Sequence, residues 1–190
     1  MKFIHTADIH WGMIPDSDKP WGKKREQAIR LTFQGIIEDA RDSRADLLLI
    51  SGDLFHRQPL ARDLKEVNYL FSTIPGVQVM IIAGNHDSGE RLEFARELLE
   101  KEGVFIAGLP PREADEKIRK VTMTDSAGEV CFYLLPFTKP SHLRKKYEEE
   151  KIDSYEDAVK KLLEEEEIDT TKRNVLLSHQ FYLSGGSEPL

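Results

Sequence analysis

The chain has 190 residues, a single-domain length, and its 39% hydrophobic content is enough for a packed core. A net charge of −7 and an isoelectric point near 5.4 weigh against a protein held to nucleic acid by bulk charge. One cysteine, Cys131, excludes an internal disulfide framework and makes a reducing cytoplasm the default, while no stretch has the apolar length of a membrane span or of a secretion signal.

Lys2 to Ala7 reads as a short strand that leads into "DIHWG". After a loop containing Pro and Gly, Ile29, Phe33, Ile36, Ile37 and Ala40 mark one face of a helix. "ADLLLISGD" reads as a buried strand. Leu64, Val67, Leu70, Phe71 and Ile74 mark a second amphipathic helix, ended by the Pro75-Gly76 pair. The apolar run of "VMIIAGNHD" is a strand with both faces buried, Leu92, Ala95, Leu98 and Leu99 mark a third helix, and "GVFIAG" is a further strand. Such alternation is the signature of βαβ units with parallel strands. From Ile118 the texture changes: "IRKVTMTD", "SAG" and "EVCFYLLPF" predict an antiparallel hairpin. Helical segments follow over roughly 140–148 and 154–167, and "NVLLSH" is the last strand. The fold class is α/β, with a mixed sheet or two sheets. Acidic runs such as "LEEEEID" read as solvated helix faces, whereas the basic clusters "GKKR" and "RKK" are candidate contacts to a phosphate backbone.

Four apolar strands end in polar residues: "KFIHTADIH", "LLLISGD", "VMIIAGNHD" and "NVLLSH". Ligands of open α/β folds bind outside the carboxyl ends of strands, so Asp8, His10, Asp53, Asn85, His86 and His179 are expected to gather in space. Each fragment alone is compatible with an ordinary turn; four in this order are not. Carboxylate, imidazole and amide oxygen together suit manganese, iron or zinc, and the lack of clustered cysteine argues against a structural zinc site. Two such ions about 3.5–4 Å apart, sharing one carboxylate, can clamp a phosphoryl group. Neither a Walker loop nor a Ser-His-Asp elbow is present.

With its Asp-x-His, Gly-Asp, Gly-Asn-His-Asp and strand-end His, the sequence resembles the calcineurin-like metallophosphoesterase superfamily. "FIHTADIHWG", "ISGDLFHRQP", "IAGNHDSGE" and "NVLLSHQFYLSGG" are similar to its SbcD branch of double-strand-break repair nucleases. That resemblance implies two facing mixed β-sheets flanked by helices, and two divalent metal ions, manganese first, with magnesium, iron or zinc as alternatives. Carried over motif by motif, Asp8 and His10 would bind one metal, Asp53 would bridge both, and Asn85 and His179 would bind the second. His86 would orient the phosphate or protonate the leaving oxygen, and His56 would help seat a DNA phosphate. Asp87 is expected to hold the turn or the His86 ring from behind, and His5 to be a core or supporting histidine. The partners implied are DNA ends and single strands, an SbcC-type ABC ATPase and a second copy of the chain.

The superfamily's last motif, Gly-His-x-His, does not occur before Leu190. Residues 1–190 are therefore expected to form the nuclease domain without its final strands, with the DNA-facing second domain absent. Two alternatives stand beside the nuclease reading. One is a phosphatase or cyclic-nucleotide phosphodiesterase of the same fold, and the other is a domain that cuts nothing because those last histidines are missing.

Overall fold

In the computed structural model, which describes residues 1–182, strands β1 (Phe3–Thr6), β2 (Leu47–Ser51), β3 (Gln78–Ile82) and β4 (Val104–Ala107) pair in that order. Every pair is parallel. The alternation of side chains along a strand divides this sheet between two cores. Leu48 and Ile50 of β2 and Val79 and Ile81 of β3 face one core, whereas Leu47, Leu49, Met80 and Ile82 face the other. Because both faces are covered, β2 is buried along its whole length, which is why it reads as an unbroken apolar run. Each such side chain contributes about 1.5–3 kcal/mol on burial.

Helices α1 (Gly22–Asp42) and α2 (Ala61–Ser72) cover the outer face with Phe33, Ile37, Val67 and Leu70. The inner face packs on a second sheet of β5 (Arg119–Asp125), β6 (Gly128–Leu135) and β7 (Arg173–Ser178), through Val121, Val130, Phe132, Leu134 and Leu177. Strands β5 and β6 form the expected hairpin, and β7 lies parallel to β6. Among the described residues the first sheet is thus parallel and the second is mixed. Cys131, Tyr133 and Leu135 point away from the first sheet to meet Leu143, Tyr147 and the later helix near Ala158 and Leu162.

The third expected helix is broken into α3 (Gly89–Leu92), a 3-10 turn at Glu93–Ala95 and α4 (Arg96–Lys101), and Leu98 stays 68% exposed. Two contacts pull this segment onto the end of β4. The Glu93 carboxylate accepts the Gly108 N–H at 2.9 Å, and a Cβ on Gly89 would strike the Gly108 carbonyl. Around 140–148 only a 3-10 turn at Pro140–His142 and isolated turns form. There Lys146 reaches away from its own segment, donating to the carbonyls of Ala114 (3.1 Å) and Glu116 (2.8 Å) and pairing with Glu165. Helix α5 (Tyr155–Glu164) starts at a Ser154–Asp157 capping box. It stops short of 167 because a run of four glutamates, 164 to 167, opposes the negative end of the helix dipole.

Candidate metal centre

Beyond their last paired residues, the chains leaving β1 and β2 stay zipped together. Asp8 N–H donates to the Gly52 carbonyl (3.1 Å), His10 N–H to Asp53 (2.9 Å) and Trp11 N–H to Leu54 (2.8 Å), and the Trp11 carbonyl accepts from His56 N–H at 3.2 Å. This course requires left-handed backbone at Asp8 (φ +55°), His10 (φ +51°) and Asp53 (φ +51°). Among the described residues, five non-glycines have positive φ and three of them are these, so backbone strain is concentrated here. Each such residue costs about 1–3 kcal/mol unless its surroundings hold it. Asp87 supplies part of that hold: its carboxylate accepts the N–H groups of Leu54 (3.2 Å), Phe55 (2.8 Å) and Gly84 (2.9 Å), joining the β3 loop to the β2 loop. Burial pushes its carboxyl pKa up, while the Gly84, Phe55 and Leu54 amides oppose the shift.

Asp53 lies at the middle, 2% exposed. One carboxylate oxygen, Oδ1, accepts the His86 backbone N–H at 2.9 Å. The other, Oδ2, faces two imidazoles, His10 Nε2 at 3.7 Å and His179 Nε2 at 3.6 Å. On the first side, Asp8 Oδ1 stands 3.9 Å from His10 Nε2, and one ligand atom from each of Asp8, His10 and Asp53 falls within 4.8 Å of the others. On the second side, His179 Nε2 is 3.1 Å from Asn85 Oδ1.

His179 Nδ1 is 2.8 Å from the Ser51 carbonyl, which can only accept, so Nδ1 carries the hydrogen. In the neutral ring Nε2 is then a bare lone pair, and the atoms it faces, Asn85 Oδ1 and Asp53 Oδ2, are acceptors too. Three acceptors converge with no proton between them, a donor set that fits a cation and repels itself without one. Two glycines make the convergence sterically feasible. A Cβ on Gly52 (φ +89°) would strike the His179 ring, and one on Gly84 would strike Asp53 Oδ1.

His10, His56 and His86 form a second group, with ring centroids 5.0 to 5.3 Å apart and His56 stacked on His86. Burial first, then the neighbouring His10, His86 and Arg57, lowers the His56 pKa. His86 is exposed, so its ring can meet a bound ester.

A family profile described as calcineurin-like phosphoesterase matches residues 1–188. This chain belongs to that family. Calcineurin-like phosphoesterases are phosphoric ester hydrolases that bind divalent metals, in keeping with the Asp8–His10–Asp53 and His10–His56–His86 groups. Among curated relatives, the chain is 27% identical over 185 residues to the SbcD component of the nuclease SbcCD from Staphylococcus saprophyticus, and 25% identical to the protein of the same name from Staphylococcus epidermidis. Each match covers 94% of this chain and 46% of the relative, so the chain spans about half the length of these relatives.

The residues expected at the centre, Asp8, His10, Asp53, Asn85, His86 and His179, do come together, with His56 against His10 and His86. Of the two expectations for His5 the structure fits the supporting one: it is exposed on β1 rather than in the core, and its Nε2 meets Ser51 Oγ at 2.9 Å, on the residue whose carbonyl holds His179. Half of the six basic residues in the two clusters are occupied: Arg25 pairs with Asp16, Lys145 with Glu113 and Lys146 with Glu165. Sequence reasoning missed the roles of Gly52 and Gly84; their signal was a glycine at the abrupt end of each buried run, immediately before the polar residues.

Proposed function

We propose that this calcineurin-like phosphoesterase domain cleaves phosphodiester bonds in DNA as the catalytic part of an SbcD-type nuclease, using two divalent ions, manganese first. The carrying observation is the central carboxylate: Asp53 Oδ2 faces His10 on one side and His179 on the other, within 3.7 Å of both. Asp8, His10 and Asp53 are assigned to one ion, and Asp53, Asn85 and His179 to the other. When bound, such ions place positive charge against the phosphoryl oxygens and lower the pKa of water. His86, exposed and held by its backbone bond to Asp53, is assigned the proton delivered to the leaving oxygen. His56, stacked on His86 and with its pKa lowered first by burial and then by its neighbours, is assigned to seating the phosphate.

The partners assigned are DNA ends and single strands, an SbcC-type ABC ATPase and a second copy of the chain, in the cytoplasm. For the second copy we assign the face of α2 and the broken third helix. There Phe94 is 91% exposed beside an apolar cleft lined by Val67, Phe71 and Leu99, with Leu60, Leu64 and Leu98 also exposed. A ring beside a hollow is self-complementary under two-fold rotation. Sedimentation of F94D as a monomer, with the parent chain a dimer, is the expected result.

The function is tested by comparing linear duplex and single-stranded DNA with a chromogenic phosphate ester, manganese added. Cleavage of DNA is expected. Turnover of the small ester alone would leave the phosphatase reading instead, and tight manganese binding without turnover of either substrate would leave a silent domain.

A further inference from the structure

His10 presents its two ring nitrogens to different neighbours. Nε2 stands 3.7 Å from Asp53 Oδ2 and 3.9 Å from Asp8 Oδ1, whereas Nδ1 lies 3.4 Å from Nδ1 of His56. One ligand nitrogen from each of His10, His56 and His86 falls within 4.8 Å of the others. The two ions assigned above draw only on the Nε2 side of His10.

The three imidazoles are held through their backbones. His10 N–H donates to the Asp53 carbonyl (2.9 Å), His56 N–H to the Trp11 carbonyl (3.2 Å) and His86 N–H to Asp53 Oδ1 (2.9 Å). His56 stacks on His86 with the ring planes 20° apart, and His10 meets both edge-on. Zinc binds imidazole nitrogen at about 2.0–2.1 Å in tetrahedral geometry, which puts two such nitrogens about 3.3–3.4 Å apart. The His10–His56 pair already has that spacing, and the exposed His86 ring needs only a side-chain rotation to join it. Three imidazoles and no carboxylate suit zinc, nickel or copper, and suit manganese or magnesium less well than the two carboxylates of Asp8–His10–Asp53 do.

The two nitrogens of His10 cannot serve both sites together, because a neutral imidazole has one lone pair. With Nε2 on an ion at Asp8 and Asp53, Nδ1 carries the hydrogen and can donate to His56 Nδ1. With Nδ1 on an ion at His56 and His86, Nε2 carries the hydrogen and faces the two carboxylates.

We infer that His10, His56 and His86 form a site for one zinc-class ion, taken up in exchange for the ion at Asp8–His10–Asp53 rather than beside it. That ion also occupies the imidazoles assigned to proton delivery and phosphate seating, so its uptake silences the domain. The site itself stands on the imidazole geometry; the exchange rests on the assignment of His10 in the proposed function.

The probe is cobalt(II), which enters zinc sites and absorbs visible light strongly when four-coordinate and weakly when six-coordinate. Titrated into the full chain, it should develop the strong band to a limit of one ion per chain, and zinc should erase that band. His56→Gln and His86→Gln should each lose the band and weaken zinc binding by at least about tenfold, yet still bind manganese. Melting temperatures in chelator close to the parent's show that both variants fold. Asp8→Asn should keep the band but lose one of two manganese ions, counted by the paramagnetic resonance of free manganese. Manganese should suppress the cobalt band in the parent and not in Asp8→Asn. A parent without the band, or a band that survives in both histidine variants, would overturn the site. A band that saturating manganese leaves intact in the parent, while Asp8→Asn loses its ion, would overturn the exchange. Two manganese ions still bound by Asp8→Asn would refute the metal-centre reading alone, because the band does not depend on Asp8.

Discussion

Asp53→Asn separates a carboxylate kept for structure from one kept for a cation, because the two roles predict opposite changes in stability. Asp53 Oδ1 accepts the His86 N–H at 2.9 Å, and an asparagine carbonyl can keep that bond. The other position faces the lone pair of His179 Nε2 at 3.6 Å. An amide NH2 there would donate where two acceptors now oppose each other. One such bond contributes about 1 kcal/mol net, so in chelator the variant should melt about 2–4 °C higher than the parent. With manganese at a hundred times its Kd, the parent gains about 2.7 kcal/mol by linkage, or roughly 5–11 °C for a chain of this size. The variant loses the oxygen that both groups share, so its shift should fall below about 1 °C. Differential scanning fluorimetry with chelator and with manganese reads both quantities. A variant that melts lower in chelator and keeps the full manganese shift would refute the reasoning, since Asp53 would then be holding the fold and not a cation.

Gly52→Ala adds a methyl that strikes the His179 ring at a left-handed position. It should cost about 1–2 kcal/mol of stability and weaken manganese binding by at least about tenfold, read by calorimetry; unchanged affinity would contradict the placement of His179. His86→Gln should retain manganese binding while turnover falls about 10²–10⁴-fold, whereas loss of binding would make His86 a ligand. Arg173, bonded to Asp125 at 2.6 and 3.0 Å, and then the Met1 amino group hold the Asp125 pKa far below its ordinary 3.8. A carboxylate depressed in the folded state contributes stability above its unfolded pKa and loses it as pH falls through the folded one. The parent's advantage over Asp125→Asn in urea should therefore be constant at neutral pH and shrink below 3.8; an advantage independent of pH would exclude the ion pair as its source.

The middle of the first sheet was legible because β2 and β3 are covered on both faces. Leu47 to Ile50 and Val79 to Ile82 are apolar without alternation, and only parallel strands between two layers need that. The site was legible for a related reason. A run that cannot tolerate polar groups ends abruptly in Asp53 or in Asn85-His86-Asp87, and those residues must lie at the sheet's edge. Tertiary contacts account for the misses. Leu98 has the spacing of a core position, but the anchoring of Glu93 and Gly89 on Gly108 turns the helix and leaves Leu98 in solvent. The segment around Lys146 is rich in helix formers, yet its lysine is drawn to carbonyls some thirty residues earlier. Neither contact has a signature in local periodicity.

The same physics explains why the unfavourable features sit where they do. Left-handed backbone at Asp8, His10 and Asp53, together with unshared lone pairs around Asp53 Oδ2, works against the folded state. Such features persist only where neighbours over-determine them. Here the β2 end that carries Asp53 grows out of the most deeply covered part of the chain, where Leu47, Leu48 and Ile50 are at most 2% exposed, and the Asp8 and His10 N–H groups tie the β1 end to it. The three amides gathered by Asp87 then lock the loops to one another. A centre that needs opposed lone pairs held apart before any cation arrives has to be built on strands that cannot relax. Stabilising substitutions within it, Asp53→Asn first among them, should accordingly be found at the expense of metal affinity.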